Sequence, residues 1–177
     1  MSRLLRSRQS ESGEGAGVLR KLGIIGGATW SSTALYYEHI NKAVAQRLGG
    51  LHSARLVIES LDFEDYAAFH RANDLAGGNA LIVDAARRLS AIGAEGLLLA
   101  SNTMHRAHVE VTAATGLPLI DIREATAERL VADRRSRIAL LGTRFTMTEP
   151  FAREPYEARG IVVQEPSPDW RADCSAC

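Results

Sequence analysis

The sequence predicts an α/β fold of parallel sheets flanked by helices, and three observations predict it. Short runs of Ile, Leu and Val, each too brief for a buried helix, recur along the 177 residues. Helical stripes lie between the runs, and several runs abut Gly or Pro. Runs that are apolar at consecutive rather than alternate positions read as strands covered on both faces. Strand, helix, strand, repeated, gives parallel sheets with right-handed crossovers.

Taken in order, residues 1–20 are rich in Ser, Gly and Arg without apolar periodicity, and they read as a disordered leader lacking a secretory signal. The strands follow at Leu22 to Ile25, Leu56 to Ile58, Gly96 to Ala100, Leu117 to Ile120, Ile138 to Leu141 and Ile161 to Val163. Leu35, Tyr36, Ile40, Ala43 and Val44 mark one helical stripe, and Leu81, Ala85, Arg88, Leu89 and Ile92 mark another, with the Arg88 stem lying along it. Gly116-Leu117-Pro118 is the expected seam, because the Gly stops a helix and the Pro opens a strand. It divides the chain into a first lobe, residues 21–117, and a second, residues 118–177, with about three strands each.

Composition narrows the function. With 21 basic and 21 acidic side chains the formal charge is zero, which gives no electrostatic reason to expect nucleic acid or an anionic membrane. No apolar run approaches the roughly 20 residues of a spanning helix. Lys21 and Lys42 are the only lysines, so a Schiff-base lysine for pyridoxal phosphate has almost no candidates. Cys174 and Cys177 form neither a disulfide framework nor a complete zinc site, and a reducing cytoplasm fits them best. The pair satisfies C-x-x-C, but nothing follows it to make the helix that lowers a redox thiol's pKa. His52 and His70 have no metal-ligand spacing with a Cys or a close carboxylate, so no metal is expected.

In open parallel sheets ligands bind beyond the carboxyl ends of the strands, and three such ends carry small polar residues. Gly26-Gly27-Ala28-Thr29-Trp30 lets the backbone turn tightly and approach a ligand, with Thr29 or Ser31 placed to cap the next helix. Its GxxGG spacing is not the GxGxxG of a dinucleotide site. Ser101-Asn102-Thr103-Met104-His105 puts hydroxyls, an amide and backbone N–H groups after the apolar GLLLA, a set suited to a carboxylate. Gly142-Thr143-Arg144-Phe145-Thr146 repeats the pattern after RIALL. Each alone is consistent with a plain turn or cap; together they favour a shared small-molecule site.

The stretches LGIIGGATWSSTALYYEHIN, QRLGGLHSA, GAEGLLLASNTMH and IALLGTRFTM resemble the aspartate/glutamate racemase family of cofactor-independent amino-acid racemases, most closely its broad-specificity branch, over about residues 21 to 172. The resemblance implies two pseudo-symmetric α/β lobes with the active site between them, an amino acid as the small-molecule partner, and no cofactor. Each lobe of such an enzyme contributes one acid/base residue, usually cysteine, because moving a proton from one face of an α-carbon to the other takes two bases and a clamp on the carboxylate. By motif position Ser101 stands where the first-lobe base belongs. Asn102 and Thr103 match the carboxylate-binding pair, and Thr143 the second-lobe residue that meets the same carboxylate. Ala28 matches a substrate-lining position, and His70 falls where the family contacts the substrate's side chain or amino group. His105 is open to four roles: orienting Ser101 as a base, capping, packing or facing the ligand.

Two departures stand out. Ser101 replaces a cysteine, and a hydroxyl is a poorer base than a thiol, which titrates near about pH 8.5. A Gly-Cys-Thr-Glu type segment and the helix that closes back on the first lobe are also missing, so the second lobe reads as incomplete and the chain as C-terminally truncated. Three hypotheses follow: a racemase impaired by the lost cysteine; an inactive amino-acid or small-carboxylate binding remnant of the same fold; and a nucleotide-binding domain, which the GxxGG spacing disfavours. An incomplete lobe leaves apolar surface open, so self-association is expected.

Overall fold

The computed structural model describes residues 19–164. The first 18 residues, most of the expected leader, the segment after residue 164 and both cysteines therefore lie outside the described residues. The described chain divides into two compact units. The first holds the residues through Ser101 together with Ala107–Ile120; the second holds Asn102–Arg106 and the residues from Asp121 onward.

The first unit is a four-stranded parallel sheet in the order β2-β1-β3-β4, built from β1 (Leu22–Gly26), β2 (Leu56–Ser60), β3 (Gly96–Leu99) and β4 (Leu119–Ile120). The central pair, β1 and β3, are the runs with the least alternation, LGIIG and GLLL, and Gly96–Leu99 is buried at every position. The edge strand β2, LVIES, ends in polar residues. Helices α1 (Trp30–Leu48), α2 (Phe63–Arg71), α3 (Leu75–Ala91) and α4 (His108–Thr115) make the crossovers.

One cluster joins Ile24, Leu98 and Ala100 to Leu22, Tyr36, Ile40, Leu56 and Ile120, which seats the α1 stripe on the sheet. Fully burying a Leu or Ile side chain contributes about 1.5–3 kcal/mol, so a few such residues outweigh any single polar contact here. At Gly23 the neighbours come so close that a Cβ would lie 2.9 Å from the Leu97 side chain of β3 and 3.2 Å from that of Leu89 on α3. The Arg88 head pairs with Glu59 at 2.8 Å.

The strand predicted after Gly116 pairs with β3 in register Leu97↔Leu119, so among the described residues the sheets hold four strands and two rather than three and three. Gly116 does stop α4, in a left-handed conformation at φ 64°.

The second unit carries a two-stranded parallel sheet, β5 (Arg137–Ala139) and β6 (Val162–Gln164), with α5 (Ile122–Ala132), α6 (Arg144–Thr148) and α7 (Pro150–Glu157). Its core is Ala127, Tyr156 and Ile161, packed against Leu130, Ile138, Leu140 and Val163. Asp121 caps α5 by accepting from Arg123 N at 2.9 Å. The Arg123 side chain then donates to Asp121 and to the Phe151 carbonyl at 2.6 Å, fixing the start of α5 against α7. Among the described residues no helix is long and apolar enough to cross a membrane.

Candidate active site

The glycine turn after β1 is where backbone freedom is required. Gly27 has φ 93°, and a Cβ there would sit 2.0 Å from the Leu61 carbonyl oxygen. Its N–H donates to Thr33 Oγ1 at 3.0 Å, and Leu61 N donates to Gly26 O at 3.1 Å, so the turn is bonded both forward into α1 and across to β2. Thr29 takes the N-cap position of α1 without a capping bond; its hydroxyl meets Ser32 Oγ at 2.6 Å instead. Ala28, half-buried, lies in this turn.

Ser101 follows β3 directly. Ala100 N donates to Ile25 O at 2.9 Å, which holds the end of β3 beside the end of β1. Ser101 is half-buried and closes its part of the first unit. His70 is on the last turn of α2, half-buried, with its ring edge-on to Tyr66 at 4.5 Å.

In the second unit the chain forms a 3-10 turn over Thr103–Ala107. Asn102 precedes it, exposed, and its carbonyl accepts from His105 N at 3.1 Å. Thr103 is buried, and its Oγ1 lies 2.9 Å from Thr143 Oγ1. Thr143 is itself exposed at the N-cap of α6, where its oxygen accepts from Thr146 N at 3.4 Å and lies 3.2 Å from Thr146 Oγ1.

A hydroxyl has one proton and two lone pairs. Thr146 N donates to the Thr143 hydroxyl, and either hydroxyl can donate in the Thr103–Thr143 contact; when Thr103 donates, Thr143 keeps its own proton for Thr146 Oγ1 or for an anion arriving from solvent. Two of the predicted carboxylate-binding residues, 40 positions apart, are thus brought into one hydroxyl pair. Ala28, His70 and Ser101 belong to the other unit, on separate elements of it.

Charge around the pair is supplied by residues whose role spacing alone did not reveal. His105 is buried and packs: its Nε2 accepts from Ile122 N at 3.4 Å and lies 3.7 Å from Asp121 Oδ1. Burial pushes the Asp121 carboxyl up, but the Arg123 hydrogen bonds and the charges of His105 and Arg123 overcome this and hold it below the usual carboxylate range. Arg106 places its guanidinium 4.7 Å from the Phe145 ring centre and 5.7 Å from that of Phe151, and forms an ion pair with Glu149. Arg144, on the surface, lies 4.7 Å from the Phe145 ring centre as well. The visible sequence signal for these residues was only the density of Arg and Phe after Thr143. Among the described residues no group of three His, Cys, Asp or Glu side chains is placed to hold a metal ion.

Comparison with known proteins gives the chain a family. Residues 25–177 match the sequence profile of the Asp/Glu/hydantoin racemase family. A crystal structure of a Yersinia pestis protein described as a candidate Asp/Glu racemase is 39% identical with a TM-score of 0.82, the match taking in 89% of this chain and 69% of that one. An aspartate racemase homologue from Pyrococcus horikoshii is 29% identical with a TM-score of 0.73 over the same shares. An aspartate racemase from Picrophilus torridus, 20% identical with a TM-score of 0.68, covering 87% of this chain and 65% of that one, shares the fold.

Proposed function

Because the chain belongs to the Asp/Glu/hydantoin racemase family, we propose that it is an amino-acid racemase that inverts an acidic amino acid by proton transfer at the α-carbon without pyridoxal phosphate. The observation that carries the reading is the Thr103–Thr143 hydroxyl pair, which offers an exposed donor to a carboxylate.

Breaking the α-carbon to hydrogen bond leaves an electron pair that delocalises onto the substrate carboxylate as an enediolate. Donors fixed on that carboxylate are worth more in this state than in the ground state, because the charge they meet grows. Asn102, Thr103 and Thr143 fill that role. Ser101, adjacent in the chain to Asn102, takes the proton as its alkoxide, and water supplies a proton on the opposite face to give the other enantiomer. Ala28 and His70 line the substrate. The two lysines of the whole chain support chemistry without a Schiff base.

A serine base is weak, because its hydroxyl titrates far above a thiol. Activity is therefore lower than with cysteine, and exchange of the α-proton outpaces full inversion. The same serine favours the second reading, a protein that binds small carboxylates without turning them over. We place the protein in the cytoplasm on its low cysteine count.

Purified protein with L-aspartate or L-glutamate in deuterated water tests the reading. Proton NMR should show loss of the α-proton, and chiral chromatography a slower rise of the D-isomer. Absence of both signals would exclude catalysis, and calorimetric binding without exchange would establish the second reading.

A further inference from the structure

Arg106 leaves the 3-10 turn three residues after Thr103, and its side chain is 12% exposed. It reaches Phe145, two residues beyond Thr143, then Glu149 at the junction of α6 and α7, and Phe151 on α7. The turn that carries Thr103 is thereby tied to the helix that Thr143 begins. His105 ties the same turn to α5, through Ile122 N.

We infer that Arg106, with Glu149, is a positioning residue that sets the spacing of the Thr103 and Thr143 hydroxyls for a substrate carboxylate, an inference that rests on the racemase reading. A 2.9 Å contact between two short side chains survives only if both backbones are held, and the hydroxyl pair is too weak to hold them alone. Arg106 supplies what the pair lacks. A planar cation against aromatic rings is fixed by the ring faces, and its Nη1 is buried without a hydrogen-bond acceptor among the described residues, so stacking and charge rather than a bond network define its place. A lysine keeps the charge but not the plane, so Arg to Lys is a large change at this position.

The test compares R106K with R159K. Arg159 pairs with Glu124 and donates to the Pro155 carbonyl at 2.9 Å, so it ties together the same unit away from the hydroxyl pair. Two readouts are taken on each full-length variant: the nuclear Overhauser contact between the Thr103 and Thr143 side chains in the ligand-free protein, and titration with L-aspartate. R106K should lose the Thr103–Thr143 contact and weaken L-aspartate binding by about tenfold to a hundredfold, the scale of misplacing a group by an ångström. R159K should keep both at equal or greater loss of melting temperature, and E149Q should move both in the direction of R106K.

Retention of the contact in R106K overturns the inference, as does weakening of L-aspartate binding by R106K and R159K in proportion to their melting temperatures. If the unsubstituted protein binds neither L-aspartate nor L-glutamate, the racemase reading falls. The side-chain contact then decides the inference by itself.

Discussion

Replacing Thr143 with Val removes one hydroxyl while keeping the branched shape. Three contacts go with it: Thr103 Oγ1 at 2.9 Å, Thr146 Oγ1 at 3.2 Å and the cap bond from Thr146 N at 3.4 Å. Loss of an N-cap costs about 1 kcal/mol. Thr103, only 7% exposed, then holds a hydroxyl without its partner, which costs about 1–3 kcal/mol. The sum is about 2–4 kcal/mol, toward its lower end because water reaches the exposed Thr143 side. In a urea titration this appears as a lower midpoint at unchanged slope.

The same substitution removes a donor to a carboxylate, worth about 1.5–3 kcal/mol, or a loss of roughly ten- to 150-fold in L-aspartate affinity. Thr143→Ser, which keeps the oxygen, should retain most of both quantities. If T143V matches the unsubstituted protein within about 0.5 kcal/mol in stability and binds L-aspartate equally well, the hydroxyl pair is neither a fold anchor nor a clamp.

Three further outcomes are expected. Gly27→Ala should destabilise by about 2–5 kcal/mol, from a left-handed φ with a side chain and a forced clash with the Leu61 carbonyl, whereas Gly49→Ala, also left-handed but with open space around it, should cost about 1–2; equal melting temperatures for the two variants would contradict the turn geometry. Asp121 has a folded pKa held below its unfolded value of about 3.9, so its stabilisation is complete above that pH and disappears as pH falls through the folded value. Asp121→Asn should flatten that acid limb and, by leaving the buried Arg123 charge uncompensated, cost about 3–5 kcal/mol near neutral pH; an unchanged acid limb in denaturation curves taken between pH 2 and 7, a window of about five units around that value, would rule the pairing out. Ser101→Cys should raise α-deuterium exchange into L-aspartate by at least about tenfold near pH 8, where a sizeable share of thiol is ionised, and Ser101→Ala should abolish it; equal rates in all three proteins would remove Ser101 from the chemistry.

The strands were legible because they obey one rule. Two central strands buried on both faces need unbroken apolar runs, and GIIG and GLLL show them, while LVIES at the edge shows polar residues. The caps Asp62, Asp74 and Asp121 were legible in principle, since each accepts from an N–H two or three residues ahead. Their sequence signal is weak, because an Asp near other charged and polar residues looks like ordinary surface. The seam was harder. Gly116 marks the end of α4 by its own left-handed backbone, a local property, but which sheet the next strand joins depends on pairing with Leu97 and Leu98, which no local signal carries.

The site divides along the same line. Residues whose chemistry acts where they stand, such as the hydroxyls after β3 and β5, could be picked from strand ends alone. Asn102–Arg106 could not be placed, because its neighbours in sequence belong to the first unit and its partners to the second. His105 is decided by Asp121 and Ile122, and Arg106 by Phe145, Glu149 and Phe151, residues from 16 to 45 positions away. A histidine and an arginine in an NTMHRA turn have good local reasons to face water. What brings them inside is the partner each finds there, since a buried polar or charged group without one costs far more than any local preference supplies. The position of the Thr103 hydroxyl is thus a long-range property of the fold, although the hydroxyl itself is a local one.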